Sequence, residues 1–357
     1  KTGAPDDSRL ILSMKARYIY HPLKFIRPGG TSRGVLTEKD SWYIILEDKH
    51  RQGIGEASLI EGLNPESRVE SQAAIEEICQ RINAGEGPKP GEYMGFPAAR
   101  TGLESALIDM ATTEQLQYFD APFTKGKAIP INGLVWMGSK EFMYEQIVNK
   151  IEQEFKCIKL KVAAIDFYDE LELIRYIRKH FSADDIQIRL DANGGFHNDK
   201  ALSILEKLSE YDIHSIEQPV KQGQWELMAE LCDKSPLAIA LDEELIGVDG
   251  PETKRQLLEA ISPAYIILKP SLLGGFKASE EWIQLAEEQS IEWWATSALE
   301  SNIGLSAIAQ WVSTKNSKMF QGLGTGLLFS NNIDSPLFVE KGFLHYGESE
   351  WKLDLFM

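Results

Sequence analysis

Cysteine is scarce in this 357-residue chain: Cys79, Cys157 and Cys232 are all it has. They are odd in number, far apart and without Cys-x-x-Cys spacing. That argues against a disulfide framework or a zinc site and makes a reducing cytoplasm the expected compartment. Positive charge is also in deficit, with 37 Lys and Arg against 54 Asp and Glu, a net charge of −17. A field of that sign repels phosphate, so neither nucleic acid nor an anionic membrane is an expected partner. A local cluster of lysines or a bound cation can still reverse the field in one cleft and admit an anionic small molecule. Long apolar runs are missing, and no stretch approaches the roughly 20 residues of a membrane span. No basic and then apolar leader opens the sequence; residues 1–8, KTGAPDDS, are expected to be a frayed end or an expression remnant. Nothing in the sequence sets an oligomeric state.

What is present divides into two parts. Residues 9–20 (RLILSMKARYIY), 42–48 (WYIILED) and 53–60 (GIGEASLI) read as strands, rich in β-branched and aromatic residues. The intervening 21–41, with two Pro and three Gly, reads as a long loop turning at Pro28-Gly29-Gly30 and suited to closing over a site. Helical periodicity follows over 66–84 and 97–118, completing a small α+β domain that ends near 120. From 129 onward the pattern changes. Short apolar runs at 129–136, 157–162, 186–190, 213–216, 237–241, 264–268, 291–296 and 318–323 each precede an amphipathic stretch, at intervals of roughly 25–30 residues. This is the βα repeat of a modified TIM-type β/α barrel, assigned to 121–335. The alternative is a doubly wound open sheet, but no G-x-G-x-x-G follows its first strand. The tail 336–357 returns to alternating apolar character and is expected to complete the α+β capping domain of 9–120.

The chemistry lies where those runs end. Ile188-Arg189-Leu190 leads into Asp191, Ile216 into Glu217, Leu241 into Asp242 and Leu268 into Lys269. Lys159 and Lys161 alternate with Ile158, Leu160 and Val162, so both lysines share one face of their strand. Singly, each feature has a plain structural reading: an acid after a strand caps the next helix, and alternating Lys and Ile mark a half-exposed sheet. Jointly, they place three carboxylates and two lysine positions at the C-terminal mouth of a barrel, where catalytic groups gather. Three like charges converging there call for a cation, and oxygen-only ligands point to magnesium or manganese. Such a cation can bind a substrate carboxylate and stabilise the enediolate formed when the adjacent carbon loses a proton. The base would be an amine held below its ordinary pKa of ~10.4, with Lys159 as the neighbouring charge for Lys161.

These motifs, Lys-x-Lys at 159–161, RLDANGGF from Arg189, IEQP from Ile216, LDEE from Leu241 and LKPS from Leu268, resemble the enolase superfamily, and within it the muconate-lactonizing branch. The resemblance runs nearly the whole chain. It implies Asp191, Glu217 and Asp242 as magnesium ligands (manganese substituting) and Lys161 and Lys269 flanking the substrate, with Glu243 and Glu244 outside the ligand set. SALESNIGL (297–305) and QGLGTG (321–326) resemble the o-succinylbenzoate synthase members of the branch. That resemblance implies a magnesium-dependent dehydration of 2-succinyl-6-hydroxy-2,4-cyclohexadiene-1-carboxylate. Ser297, Ser301, Gly322, Gly324 and Arg189 are the expected substrate-binding residues, although Ser297, Ser301 and Asn302 serve equally as helix caps. N-acylamino acid racemase and dipeptide epimerase remain alternatives in the same superfamily, and a non-catalytic metal-stabilised barrel in another class. Dipeptide epimerases tend to carry Asp-x-Asp near the eighth strand; no acid occurs here before Asp334.

Overall fold

The computed structural model describes residues 14–31, 34–315 and 317–357. Four antiparallel strands, β1 (Lys15–Tyr20), β2 (Leu23–Thr31), β3 (Gly34–Glu47) and β4 (Gln52–Leu59), form the first sheet, in which the long β3 pairs with all three others. The expected strand at 9–20 is β1; its residues 9–13 lie outside the described residues. The expected loop at 21–41 is instead largely strand. β2 continues through Pro28-Gly29-Gly30 and pairs with the first half of β3. An edge strand tolerates a proline, and the pairing register slips between Lys24 and Gly29, a bulge that accommodates it.

Two helices, Arg68–Asn83 and Pro97–Ala111, cover this sheet. Ser67 and Glu70 start the first with a reciprocal capping box. The second lies directly on β4 because Gly53 and Gly55 have no side chain: a Cβ at either position would run into the helix backbone carbonyls of Ala106 or Gly102.

Beyond β5 (Ile129–Pro130) come seven parallel strands in sequential order: β6 (Gly133–Val135), β7 (Cys157–Lys161), β8 (Gln187–Asp191), β9 (Ser215–Glu217), β10 (Ile239–Leu241), β11 (Tyr265–Leu268) and β12 (Glu292–Ala295). The expected eighth strand, 318–323, is not one. It makes two isolated parallel bridges, Gln321 to Ile131 and Gly322 to Thr296, which join the two edges of the curled sheet. Gly322 is wedged so close to Thr296 that a Cβ would meet its Oγ1 at 2.5 Å. Past those bridges the wall is unpaired: among the described residues no backbone hydrogen bond links β6 to 322–326.

The run 129–136 also divides, since β5 pairs with a C-terminal hairpin of β13 (Leu337–Glu340) and β14 (Phe343–Tyr346). The tail therefore joins the barrel side through its hairpin. Its last turn reaches the first sheet, where Phe356 packs edge-on against Tyr43 and its carbonyl accepts from Arg17. Apolar side chains between strands and outer helices make one continuous core, and the first sheet and its helices make a second. No helix among the described residues is long and apolar enough to cross a membrane.

Candidate active site

Strand register builds the floor of the site. Lys161 lies opposite Asp191, and Asp191 opposite Glu217, in one row across β7, β8 and β9. Asp242 and Lys269 follow the last residues of β10 and β11. Their side chains converge: one carboxylate oxygen each from Asp191, Glu217 and Asp242 falls within 4.8 Å of the others, and all three residues are buried. Lys159 pairs with Asp191 at 2.9 Å and with Glu217. Lys161 donates to Asp191 and to Asn193 Oδ1, each at 2.6 Å. Lys269 pairs with Asp242.

The electrostatics follow from this packing. Burial alone would raise the Asp191 carboxyl, but the Lys159, Lys161 and Lys269 ammoniums hold it well below the usual carboxylate range. Glu217 is pushed up to about 8, chiefly by burial, with Asp191 and Asp242 adding to it against the pull of Lys159. Burial lowers Lys159 and Lys269, yet their carboxylate neighbours outweigh it and both amines end above their ordinary value. Lys159 is raised because its ammonium faces the Asp191 and Glu217 carboxylates before it faces another ammonium.

The donor set fits a hard divalent cation. Glu217 Oε1 is buried without a hydrogen-bond partner among the described residues, an arrangement that is costly unless something else satisfies it. A cation held between the three carboxylates would take up that oxygen and favour the ionised form of Glu217.

Over this floor sits a cavity of roughly 140 Å³ whose rim includes Lys159, Lys161 and Lys269. Ser297, Gly322 and Gly324 line it. Ser297 donates to Glu300 and accepts from Thr325 Oγ1 at 2.8 Å. Ser301 and Arg189 are placed elsewhere. Ser301 caps the helix Asn302–Ser313, and its Oγ donates to Glu56 Oε2 at 2.5 Å. Arg189 is two residues before Asp191 on the same strand face, hence one layer deeper. Its guanidinium lies 3.9 Å from the Trp294 ring centroid and donates to the Phe320 carbonyl. A cation stacked on an indole in a closed interior is a packing element.

Among the polar residues of the cavity, Asn193 was not singled out in the sequence, and Glu243 was placed only outside the ligand set; the two bind each other at 2.9 Å. The signal was present, since each follows a carboxylate strand end within two residues, in DANGG and LDEE. Leu36, Trp136 and Leu299 supply apolar wall.

A curled β/α barrel wall with three buried strand-end carboxylates facing lysines defines a class of protein, one whose donor set suits a divalent cation. Residues 143–349 match the family described as Enolase C-terminal domain-like, and the chain belongs to that family, within the enolase superfamily. The o-succinylbenzoate synthase of Desulfotalea psychrophila is 44% identical, over 93% of this chain and 98% of the relative. The crystal structure of MenC from the same organism superposes with a TM-score of 0.84 at 42% identity, covering 93% of this chain and 99% of that one. The Bacillus subtilis L-Ala-D/L-Glu epimerase in a substrate-liganded complex has a TM-score of 0.80 over 96% of this chain and 99% of that one, and at 20% identity it shares the fold.

Proposed function

We propose that the chain is a magnesium-dependent o-succinylbenzoate synthase, with manganese able to substitute, acting in the cytoplasm on a menaquinone precursor. The observation that carries this reading is end-to-end likeness, at 44% identity, to a protein of that name. The buried carboxylates with lysines on both sides support it chemically. The reaction is loss of water from 2-succinyl-6-hydroxy-2,4-cyclohexadiene-1-carboxylate. Asp191, Glu217 and Asp242 would hold the magnesium ion, which when bound supplies positive charge for the substrate carboxylate as the adjacent carbon loses its proton.

Lys161 takes that proton, and the C–H electron pair enters the ring. The C–O bond to the ring hydroxyl then breaks, and the Lys161 ammonium returns the proton so that water leaves from the same face. The product ring is aromatic, which makes the second step downhill. Lys269 remains an ammonium throughout and offsets the negative charge spread over the ring. Lys159 holds Asp191 and Glu217 in place beneath the reacting atoms. Asn193 orients Lys161, and Leu36, Trp136 and Leu299 exclude water.

The placement of Lys161 against Asp191 and Lys269 against Asp242 favours one second reading, racemisation of N-succinyl amino acids, since an amine on each side can exchange a proton on each face. The test is one assay set with magnesium: dehydration of the cyclohexadiene, followed by o-succinylbenzoate absorbance, beside deuterium exchange and racemisation of N-succinyl amino acids. Dehydration far faster than exchange is expected. Absence of dehydration with vigorous exchange overturns the synthase in favour of the racemase.

A further inference from the structure

We infer that the unpaired seam between β6 and residues 322–325 is a side port, through which the distal carboxylate of the substrate reaches a groove carrying Lys150 and Arg27. This rests on the synthase reading for the identity of the tail. The groove, roughly 380 Å³, lies outside the barrel wall beside the helix Lys140–Glu152. It adjoins the cavity over the carboxylates across a thin wall, since Asn132, Leu134, Trp136, Gly324 and Thr325 line both.

Backbone geometry makes the opening. Asn132 N–H bonds the Gln321 carbonyl, Ser297 N–H bonds the Gly322 carbonyl, and beyond them β6 has no partner on that side among the described residues. At the seam Gly324 presents no side chain. Asn132 is 5% exposed, and its Oδ1 has no hydrogen-bond partner among the described residues. A buried amide lying between two cavities is poised to meet a ligand's polar atoms.

Charge in the groove completes the argument. Lys150 is half-buried, with its stem packed across Gly133, where a Cβ would meet Lys150 Cδ at 2.8 Å. Its Nζ sits 4.9 Å from the Phe155 ring centroid, and no carboxylate pairs with it among the described residues. Burial lowers this amine below its ordinary value, the expected response of an ammonium without a counter-ion. Arg27, on β2, likewise has no carboxylate partner among the described residues. Glu145 is the one acid lining the groove among the described residues; it is exposed and leaves a net positive charge. In a chain of net charge −17, two unpaired cations beside the site are suited to a tail carboxylate.

The experiment measures binding to the magnesium-loaded protein of two probes, o-succinylbenzoate and its analogue with the distal carboxylate replaced by a primary amide. Wild type is expected to favour the diacid by about tenfold or more, the range of a charge-assisted hydrogen bond. Lys150→Met and Arg27→Gln should each erode that preference by weakening the diacid alone, and Lys150→Arg should keep it. The corresponding effect on turnover is a raised KM for the cyclohexadiene that exceeds any fall in kcat. Equal affinity of wild type for the two probes overturns the port, and needs no variant to fold. A preference undiminished in Arg27→Gln and Lys150→Met together overturns it as well. Turnover by a wild type indifferent to the tail charge sinks the port and keeps the synthase; tail discrimination without dehydration does the reverse.

Discussion

The floor and the wall of the cavity are built by opposite means. On the floor, Lys161, the three carboxylates and Lys269 sit at the end of a strand or one residue past it, with Lys159 one layer below, and apart from Glu217 Oε1 the charges pair with one another. On the wall, Leu36 comes from β3, Ser297 from the turn after β12, and Gly322 and Gly324 from an irregular segment. No repeat relates these pieces. Their positions depend on contacts such as Glu56 with Ser301, 245 residues apart in the chain. The chemistry is thus carried by local, periodic structure and the shape around it by distant contacts, so reaction and specificity can change separately.

The largest effect should come from breaking the floor at its least satisfied group. Glu217→Gln preserves shape but removes a charge and leaves Asp191 and Lys159 imbalanced. Magnesium affinity measured by calorimetry is expected to fall by at least about 10²-fold, more than for a residue acting indirectly on a metal, and turnover with it. Circular dichroism should show the fold retained. A Gln variant that binds magnesium and turns over like wild type would remove Glu217 from the site.

The two sides of the floor can then be told apart. Lys161→Ala is expected to lower dehydration by about 10²–10⁴-fold, the usual contribution of a general base. Lys269→Arg keeps a cation that cannot act as a base, so dehydration should stay measurable while exchange on the opposite face of an N-succinyl amino acid stops. Dehydration surviving in Lys161→Ala but abolished in Lys269→Arg would exchange their roles.

The same contrast explains what the sequence disclosed. The convergence of Asp191, Glu217, Asp242 and Lys269 was legible because a charged residue closing an apolar run, repeated at the barrel period, is more than helix capping produces, and Lys161 was read from its alternation with Lys159 on one strand face. Asn193 went unassigned, and Glu243 was placed only outside the ligand set, because a polar residue one or two places past a strand end also looks like turn chemistry. The β2–β3 hairpin was hidden by Pro28 and its neighbouring glycines, which mark turns in most contexts but here sit at a bulged edge. An eighth strand was expected because KMFQGL has strand composition, whereas Gly322 and Gly324 leave it too little side chain to hold a ladder. Ser301 and Arg189 depended on partners, Glu56 and Trp294, that no local pattern announces.

A wall contact comes next in size. Glu56 on β4 accepts from Ser301 N–H at 2.9 Å, from Gly304 N–H at 3.0 Å and from Ser41 Oγ at 2.6 Å, with Lys39 at 3.9 Å. A carboxylate at that helix N-terminus also meets its positive end. Glu56→Ala strands a buried lysine and several donors, and should cost about 3 kcal/mol or more in urea unfolding. Because Ser301 ends the turn that begins at Ser297, KM should rise more than kcat falls. Unchanged KM in a folded variant would show that the cap does not set the wall.

The smallest expected effect separates the cap from the floor by pH. Glu66 and Asp109 are buried in the cap without an ammonium partner among the described residues, held by backbone N–H groups of Ala98 and of Ile54 and Leu116. Burial pushes both carboxyls up to about 7, against the lowering effect of those hydrogen bonds. Unfolded, they titrate near 4. Between about pH 4 and 7 the folded state therefore binds more protons, so their contribution to stability falls as pH rises through that window and is lowest above it. Each pKa unit corresponds to about 1.4 kcal/mol at most. Asp191 has the opposite sign, since its carboxyl is lowered by three lysines and its contribution is lost in acid. Unfolding midpoints from pH 5 to 8 should fall more steeply in wild type than in a Glu66→Gln/Asp109→Asn variant. Parallel curves would mean that these two carboxyls stay ionised in the folded cap, despite their burial.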